Sequence, residues 1–218
     1  MYASKVKDQK LTLVVSGQLW NRSLVMMDQE TQSLWSHILG ECLEGKLKGA
    51  ELETIPSDML SWAGWKKEHP ETTVLDMKRT SKNYTKEFYR SPNRFVVGYK
   101  GNFGMHHTSF ASMKAAPLQN IDAKGLPLLL VFDSKSTSAK IFKRKLNAKV
   151  LSFVAQGDSE LKDIETGSVW SRKTGTAISG PNKGKQLQQH VGIVSYRQAW
   201  NTFHPTSRET KPPAKTDK

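Results

Sequence analysis

The stretch Asp28-Gln-Glu-Thr-Gln-Ser-Leu-Trp-Ser36 recurs 135 residues later as Asp163-Ile-Glu-Thr-Gly-Ser-Val-Trp-Ser171. The alignment continues without a gap, so that residues 28–70 match residues 163–205, and 14 of these 43 positions are identical. Ordinary composition would give about three identities over this length. Because an internal repeat marks a duplicated structural unit, the chain is predicted to hold two related units in tandem.

The residues around the repeat predict a mainly β (α+β) fold. Residues 10–17 and 150–157 alternate as half-buried strands do, and glycines recur between further short segments. Gly167 stands where the first copy has Gln32, as expected of a hairpin turn that needs a positive φ. Short helices are predicted over 56–70, capped by Ser57 or Asp58, and in the matching part of the second copy.

The two units are not predicted to be equally complete. Strand-like segments at 92–99, 127–133 and 139–142 precede the second copy, and nothing comparable precedes the first. The predicted organisation is a truncated first unit with a linker (1–91), a fuller second unit (92–205) and a disordered basic tail (206–218). A homodimer or a missing N-terminal segment is expected to complete the first unit.

Composition limits the classes of protein to consider. A hydrophobic fraction of 37% indicates a folded chain, and the longest apolar run, 128–132, is too short for a membrane helix. Residues 1–10 have no apolar stretch of the kind a signal peptide needs, so a cytoplasmic location is expected of the chain as written. A single cysteine, Cys42, excludes a disulfide framework, and its counterpart Ala177 indicates a small buried filler.

The positive charge is concentrated in one part of the chain. The formal net charge is +13, and residues 78–149 hold 15 basic against 3 acidic residues. Such asymmetry is compatible with nonspecific contact to a polyanion, although no nucleic-acid-binding motif is present. A solvated basic surface is the alternative interpretation.

The repeated turns supply the candidate site residues Asp28, Glu30, Thr31, Asp163, Glu165 and Thr166. Two carboxylates beside a hydroxyl can hold a cation through oxygen ligands or serve acid–base chemistry. The alternative is a structural one, because Asp and Thr side chains commonly bond the backbone of their own turn. The sequence alone leaves both interpretations open.

Histidines and tryptophans give weaker candidates. His69 and His204 precede prolines at predicted helix ends, where an imidazole can interact with the helix dipole or take part in a ligand site. His106 and His107 stand in a polar segment that has no second copy and are considered as metal ligands. The repeated tryptophans at 35/170 and 65/200 are expected to be core anchors.

The combination of motifs resembles an uncharacterised prokaryotic family, the domain of unknown function 3179. The resemblance rests on the segments 15–28, 30–36 and 45–49, on Trp62 with Trp65, and on His69-Pro70. Members of that family commonly carry a Tyr-Cys-Pro-x-Cys-Gly stretch just before the part that matches Tyr2, and this sequence lacks it. For full-length members the resemblance implies export, and it implies no reaction.

The predicted function is therefore a ligand-binding or structural module of unknown ligand. The first alternative is a metal-dependent or acid–base enzyme that uses the repeated turns and the two His-Pro histidines. The second is nonspecific polyanion binding through residues 78–149. The sequence predicts no cofactor and no bound metal ion, and it predicts no membrane span.

Overall fold

The computed structural model describes residues 1–74, 91 and 94–210. Within them the chain is mainly β, as predicted. The helices are α1 (Trp62–Glu68), α2 (Phe110–Ala115) and α3 (Arg197–Phe203). The strands are β1 (Lys5–Val6), β2 (Gln9–Lys10), β3 (Leu13–Trp20), β4 (Ser23–Asp28), β5 (Leu34–Ser36), β6 (Cys42–Glu44), β7 (Phe95–Lys100), β8 (Met105–Ser109), β9 (Leu118–Asp122), β10 (Pro127–Asp133), β11 (Ser138–Lys143), β12 (Lys145–Leu146), β13 (Lys149–Val150), β14 (Phe153–Gln156), β15 (Glu160–Asp163), β16 (Val169–Ser171), β17 (Ala177–Ser179), β18 (Gln189–His190), β19 (Ile193–Tyr196) and β20 (Arg208–Glu209).

The chain divides into two compact units. Unit 1 consists of Met1–Ser57 and Gln198–Thr206, and unit 2 of Asp58–Arg197 and the residues from Ser207 onward. This division differs from the predicted one near residue 91, because the short helices are exchanged. Helix α1 forms the end of the first copy of the repeat and belongs to unit 2, whereas α3 forms the end of the second copy and most of it belongs to unit 1.

Unit 1 is built on the antiparallel sheet β3-β4-β5-β6. Its buried cluster consists of Val6, Leu11, Trp35, Cys42 and Leu52. Cys42 is buried, as expected of a filler. In α3, Phe203 meets the ring of Trp20 edge-on at 5.1 Å between centroids.

Unit 2 has three four-stranded sheets, β19-β7-β8-β20, β18-β11-β10-β9 and β14-β15-β16-β17. Successive side chains of a strand point to opposite faces. Since consecutive residues of β10 are buried, both of its faces are covered. Leu128, Leu130 and Phe132 share a core with β7, and Leu129 and Val131 share a second core with Phe153, Leu161 and Trp170. The sheet that contains β10 is therefore the middle layer of unit 2.

Two local predictions need correction. Residues 207–210 are not part of a disordered tail, since Arg208–Glu209 pairs with β8 and Arg197 lies 3.3 Å from Glu209. The remainder of the expected tail, 211–218, lies outside the described residues. Helix α1 begins at Trp62 rather than near Ser57, because Ser61 caps it by accepting the Gly64 N–H at 3.2 Å.

The tryptophans of the helices differ in burial. Trp200 in α3 is fully buried, in agreement with a core role, but Trp65 in α1 is only half-buried, and α1 has no buried residue. Among the described residues, no helix combines the length and the apolar character needed to cross a membrane.

Candidate functional site

The Asp28 carboxylate is buried in the turn between β4 and β5. Its Oδ1 accepts the Thr31 N–H at 2.5 Å, and its Oδ2 accepts the Trp35 Nε1–H at 2.8 Å. The Thr31 hydroxyl donates to Oδ1 at 2.8 Å and lies 2.7 Å from the Ser33 hydroxyl. Both carboxylate oxygens therefore accept hydrogen bonds from the same β4–β5 hairpin, from Thr31 in the turn and from Trp35 in β5.

The Asp163 turn repeats this network with the same residue partners. Asp163 Oδ1 accepts the Thr166 N–H at 2.6 Å, and Oδ2 accepts the Trp170 Nε1–H at 2.8 Å. The Thr166 hydroxyl donates to Oδ2 at 2.8 Å and lies 2.7 Å from the Ser168 hydroxyl. The positive φ predicted for this turn is present in both copies, at 58° for Gln32 and 70° for Gly167.

The network favours the charged form of both aspartates. Burial alone would raise the pKa of Asp28, but the hydrogen bonds from Trp35 and Thr31 outweigh it and hold the pKa below its ordinary value. The pKa of Asp163 is lowered by the same balance of burial against bonds from Trp170 and Thr166. Protein donors thus compensate each charge, and no cation is needed for that purpose.

The glutamates of the two motifs fasten the strand that opens each sheet. Glu30 accepts the Thr12 N–H at 2.8 Å, and Glu165 accepts the Ser152 N–H at 2.7 Å. Thr12 and Ser152 directly precede β3 and β14, and both glutamate side chains are exposed. The hydrogen bond from Thr12 lowers the pKa of Glu30.

His69 and His204 lie at the ends of α1 and α3. The backbone N–H of each histidine donates to the carbonyl of the tryptophan four residues earlier at 2.8 Å. The centroid of each imidazole ring lies 4.1 Å from that of the same tryptophan. His69 is exposed and His204 is half-buried, which lowers the pKa of His204. In the described part of the chain, no hydrogen bond or ion pair joins either ring to a carboxylate of the motifs.

Other candidate residues are also bound into the fold. His107 Nδ1 lies 2.9 Å from the Ser207 hydroxyl, and His106 stacks on Tyr99 at 6.0 Å. Within residues 1–74, 91 and 94–210, no group of three or more His, Cys, Asp or Glu side chains is placed to hold a metal ion.

The basic region is only partly described, because residues 75–90 and 92–93 lie outside the described residues. Of its described members, Lys140 lies 2.8 Å from Asp58, and Arg144 is buried. Polyanion binding through residues 78–149 stays a prediction.

Two residues that sequence analysis did not single out join the layers of unit 2. The Arg144 guanidinium donates to the carbonyls of Leu128, Leu151 and Ile121 at 3.0, 2.7 and 3.2 Å. Asn120 in β9 donates to the Phe153 carbonyl at 2.8 Å and accepts the Phe153 N–H at 2.9 Å. The gap-free repeat begins after both positions, so comparison of the copies gave no signal for them.

A family model described as a protein of unknown function, DUF3179, matches residues 1–94 and again residues 89–207. The chain belongs to this family. The two DUF3179 matches contain the two copies of the repeat. No curated protein and no solved structure matches the chain. The DUF3179 description assigns no activity, so any function has to be argued from the geometry of this chain.

The histidines of this DUF3179 chain predict a loss of stability in mild acid. Burial lowers the pKa of His37, His106, His107, His190 and His204. The unfolded chain, with an ordinary histidine pKa of about 6.5, then binds more protons than the folded chain. The free energy of unfolding should therefore decrease as the pH falls from 7 to 5, and urea unfolding at a series of pH values measures it.

A matched variant tests the origin of this decrease. His204→Gln removes one depressed group and should flatten the slope between pH 7 and 5. A urea midpoint that stays constant or rises as the pH falls over this range would contradict the prediction.

Proposed function

We propose that this protein is a non-catalytic binding module that takes up a partner on an apolar face of unit 1 that the described residues cover only in part. The face consists of Leu13 and Val15 of β3 and Met26 of β4, and we call it the open face. Val15 lies opposite Met26, and Met26 lies opposite Trp35, so these side chains share one side of the sheet. Leu13, two residues from Val15, lies on the same side.

The observation that carries the proposal is the contrast between the two units. Leu13 and Met26 are half-buried, and Val15 is 71% exposed. In unit 2 the counterparts of Leu13 and Met26 are Phe153 and Leu161, which are 2% and 1% exposed. The positions of Leu13 and Met26 are thus fully covered in unit 2 and only half-covered in unit 1, whereas Ala155, the counterpart of Val15, is exposed as Val15 is. Incompletely covered apolar positions of this kind are expected of a surface that receives a partner.

The apolar character of the face gives a binding partner a clear energetic gain. Full burial of a Leu, Val or Met side chain contributes roughly 1.5–3 kcal/mol relative to leaving it in water.

Catalysis by the repeated turns has less support. Asp28 and Asp163 are enclosed by their own turns, and Glu30 and Glu165 bond the start of a strand. A general acid or base has to reach a substrate proton. The observed hydrogen bonds of these four carboxylates are those of a structural role, and the proposed binding is placed at the open face instead.

Methionine methyl NMR tests the proposal with 1-anilinonaphthalene-8-sulfonate, an apolar dye. The Met26 methyl resonance should shift saturably as the dye is added. Met27, one residue away on the other side of the sheet, and Met113, buried in unit 2, serve as internal controls and should not shift. A dye that leaves Met26 unchanged, or that shifts the three methionines equally, would contradict the proposal.

A further inference from the structure

We infer that the occupant of the open face is a pair of antiparallel β-strands with alternating aliphatic side chains, supplied by a separate partner polypeptide. This inference rests on the proposed function and adds the chemistry of the partner. Its basis is the β9–β10 strand pair, which covers the corresponding face of unit 2.

The two units correspond over a longer stretch than the gap-free repeat. Tyr2 pairs with Thr54 as Phe142 pairs with Gln189. The Leu11 N–H donates to the Ser4 carbonyl at 2.7 Å, and the Leu151 N–H donates to the Arg144 carbonyl at 2.9 Å. The equivalent residues Tyr2/Phe142 and Leu11/Leu151 are 140 positions apart, whereas Thr54 and Gln189, which lie beyond β3 and β4, are 135 positions apart. The first unit therefore has a five-residue insertion between these two stretches.

Ring packing on a glycine gives a second, independent match. A Cβ at Gly40 would lie 2.4 Å from the Tyr2 ring, and one at Gly175 would lie 2.8 Å from the Phe142 ring. Tyr2 in unit 1 therefore corresponds to Phe142, the residue of β11 that pairs with Gln189 in unit 2. Burial raises the pKa of Tyr2 to about 12, and its hydroxyl donates to the Ile38 carbonyl at 2.8 Å.

In unit 2, the strand next to Phe142 is β10, with Leu129 opposite Phe142. Leu129 and Val131 lie in one cluster with Phe153 and Leu161, the counterparts of Leu13 and Met26. Asn120 of the adjoining β9 bonds both backbone groups of Phe153. In the described part of the chain, no side chain bonds the backbone of Leu13 in this way.

These positions define the chemistry of the occupant. One of its strands lies beside residues 1–3, as β10 lies beside β11, and directs every second aliphatic side chain onto Leu13 and Met26. A neighbouring strand places a side-chain amide at the edge of β3. A second copy of the chain does not offer its own β9–β10 for this purpose, because Leu129 and Val131 are already buried in unit 2.

The probe is a synthetic peptide of residues 117–133 with Leu128→Lys, Leu130→Thr and Phe132→Thr. These changes make its outer face soluble and keep Leu129 and Val131 on the inner face. The control peptide carries Leu129→Thr and Val131→Thr in addition. A third peptide has the same number of Leu and Val residues arranged as an amphipathic helix.

The full chain is titrated with each peptide, and the Met26 methyl resonance is recorded. We expect a saturable shift with the probe and at least about tenfold weaker binding of the control peptide, since two buried aliphatic contacts are lost. Leu13→Lys should weaken probe binding by a similar factor, because Leu13 corresponds to Phe153, which packs with Leu129 and Val131 in unit 2. The matched variant Val154→Lys, at a partly exposed position of unit 2, should leave it unchanged.

The failures of the two proposals are distinguishable. If the helical peptide binds as tightly as the probe, or if Met26 shifts with protein concentration alone because two copies associate, the strand-pair inference is overturned and the proposed function stands. If the dye shifts Met26 and no peptide does, the inference is again overturned. If neither the dye nor any peptide shifts Met26, both are overturned.

Discussion

Replacement of Arg144 by methionine is expected to lower the free energy of unfolding of unit 2 by about 3 kcal/mol or more. Methionine keeps an unbranched apolar stem but removes the donors that reach the carbonyls of Leu128, Leu151 and Ile121. Each buried carbonyl that loses its donor costs about 1–3 kcal/mol. Urea unfolding followed by tryptophan fluorescence measures the loss.

Lys145→Ala is the control, because Lys145 is the exposed neighbour of Arg144. A change at such a position is expected to stay within about 0.5 kcal/mol. Arg144→Lys should lie between the two, since an ammonium group keeps the charge but cannot reproduce the planar guanidinium fork. If Arg144→Met unfolds at the same urea concentration as Lys145→Ala, Arg144 does not hold the layers together.

Local chemistry explains what could be predicted from the sequence. The hairpin around Gln32 and Gly167 was predictable because a glycine at one copy of a turn reveals the backbone geometry that both copies need. The strand within residues 150–157 was predictable because apolar and polar residues alternate with a period of two in a half-buried strand. The buried state of Cys42 followed from its replacement by alanine in the second copy.

Long-range contacts explain what could not be predicted. Arginine is usually a surface residue, and Arg144 can be buried because carbonyls of β9, β10 and residue 151 accept its hydrogen bonds. Arg208 and Glu209 have no strand-like pattern, yet β8 offers them a free edge. The exchange of α1 and α3 between the units is likewise invisible to a pattern read along the chain.

The candidate site shows the same division. The motif Asp-x-Glu-Thr was recognisable from the repeat, but a repeated residue can serve the fold or a ligand. The choice depends on where the carboxylate points. Asp28 and Asp163 point into their own turns, toward Trp35 and Trp170, which are seven residues further along the chain.

Asp28→Ala and Asp163→Ala are each expected to lower the free energy of unfolding by about 2–4 kcal/mol. Either change leaves a buried indole N–H and a backbone N–H without an acceptor, and each unsatisfied group costs about 1–3 kcal/mol. The double variant should lose close to the sum, because the two networks share no residue. Glu30→Gln is the control and should leave the urea midpoint close to that of the wild type, because the position is exposed and the amide oxygen can still accept the Thr12 N–H.

Acid should reduce the difference between the wild-type protein and these variants. The lowered pKa of each aspartate gives a stabilisation that is present above the unfolded-state pKa of about 3.9 and is lost as the pH falls through the folded-state pKa. The free energies of unfolding of the wild-type protein and of each Asp→Ala variant should therefore approach each other below about pH 4. A difference that stays constant down to pH 2 would contradict a role for the charged carboxylate.

Calorimetry with Ca²⁺ and Mn²⁺ separates a structural role of the aspartates from a ligand site. We expect no saturable heat from the wild-type protein or from the variant Asp28→Ala/Asp163→Ala, because the carboxylate oxygens already accept bonds from Thr31, Trp35 and their counterparts. Saturable cation binding by the wild type that disappears in a folded Asp28→Ala/Asp163→Ala variant would establish the repeated turns as a metal site. In that case the tryptophan and threonine donors would position the carboxylates for the ion, and the enzyme hypothesis would take precedence over the binding module.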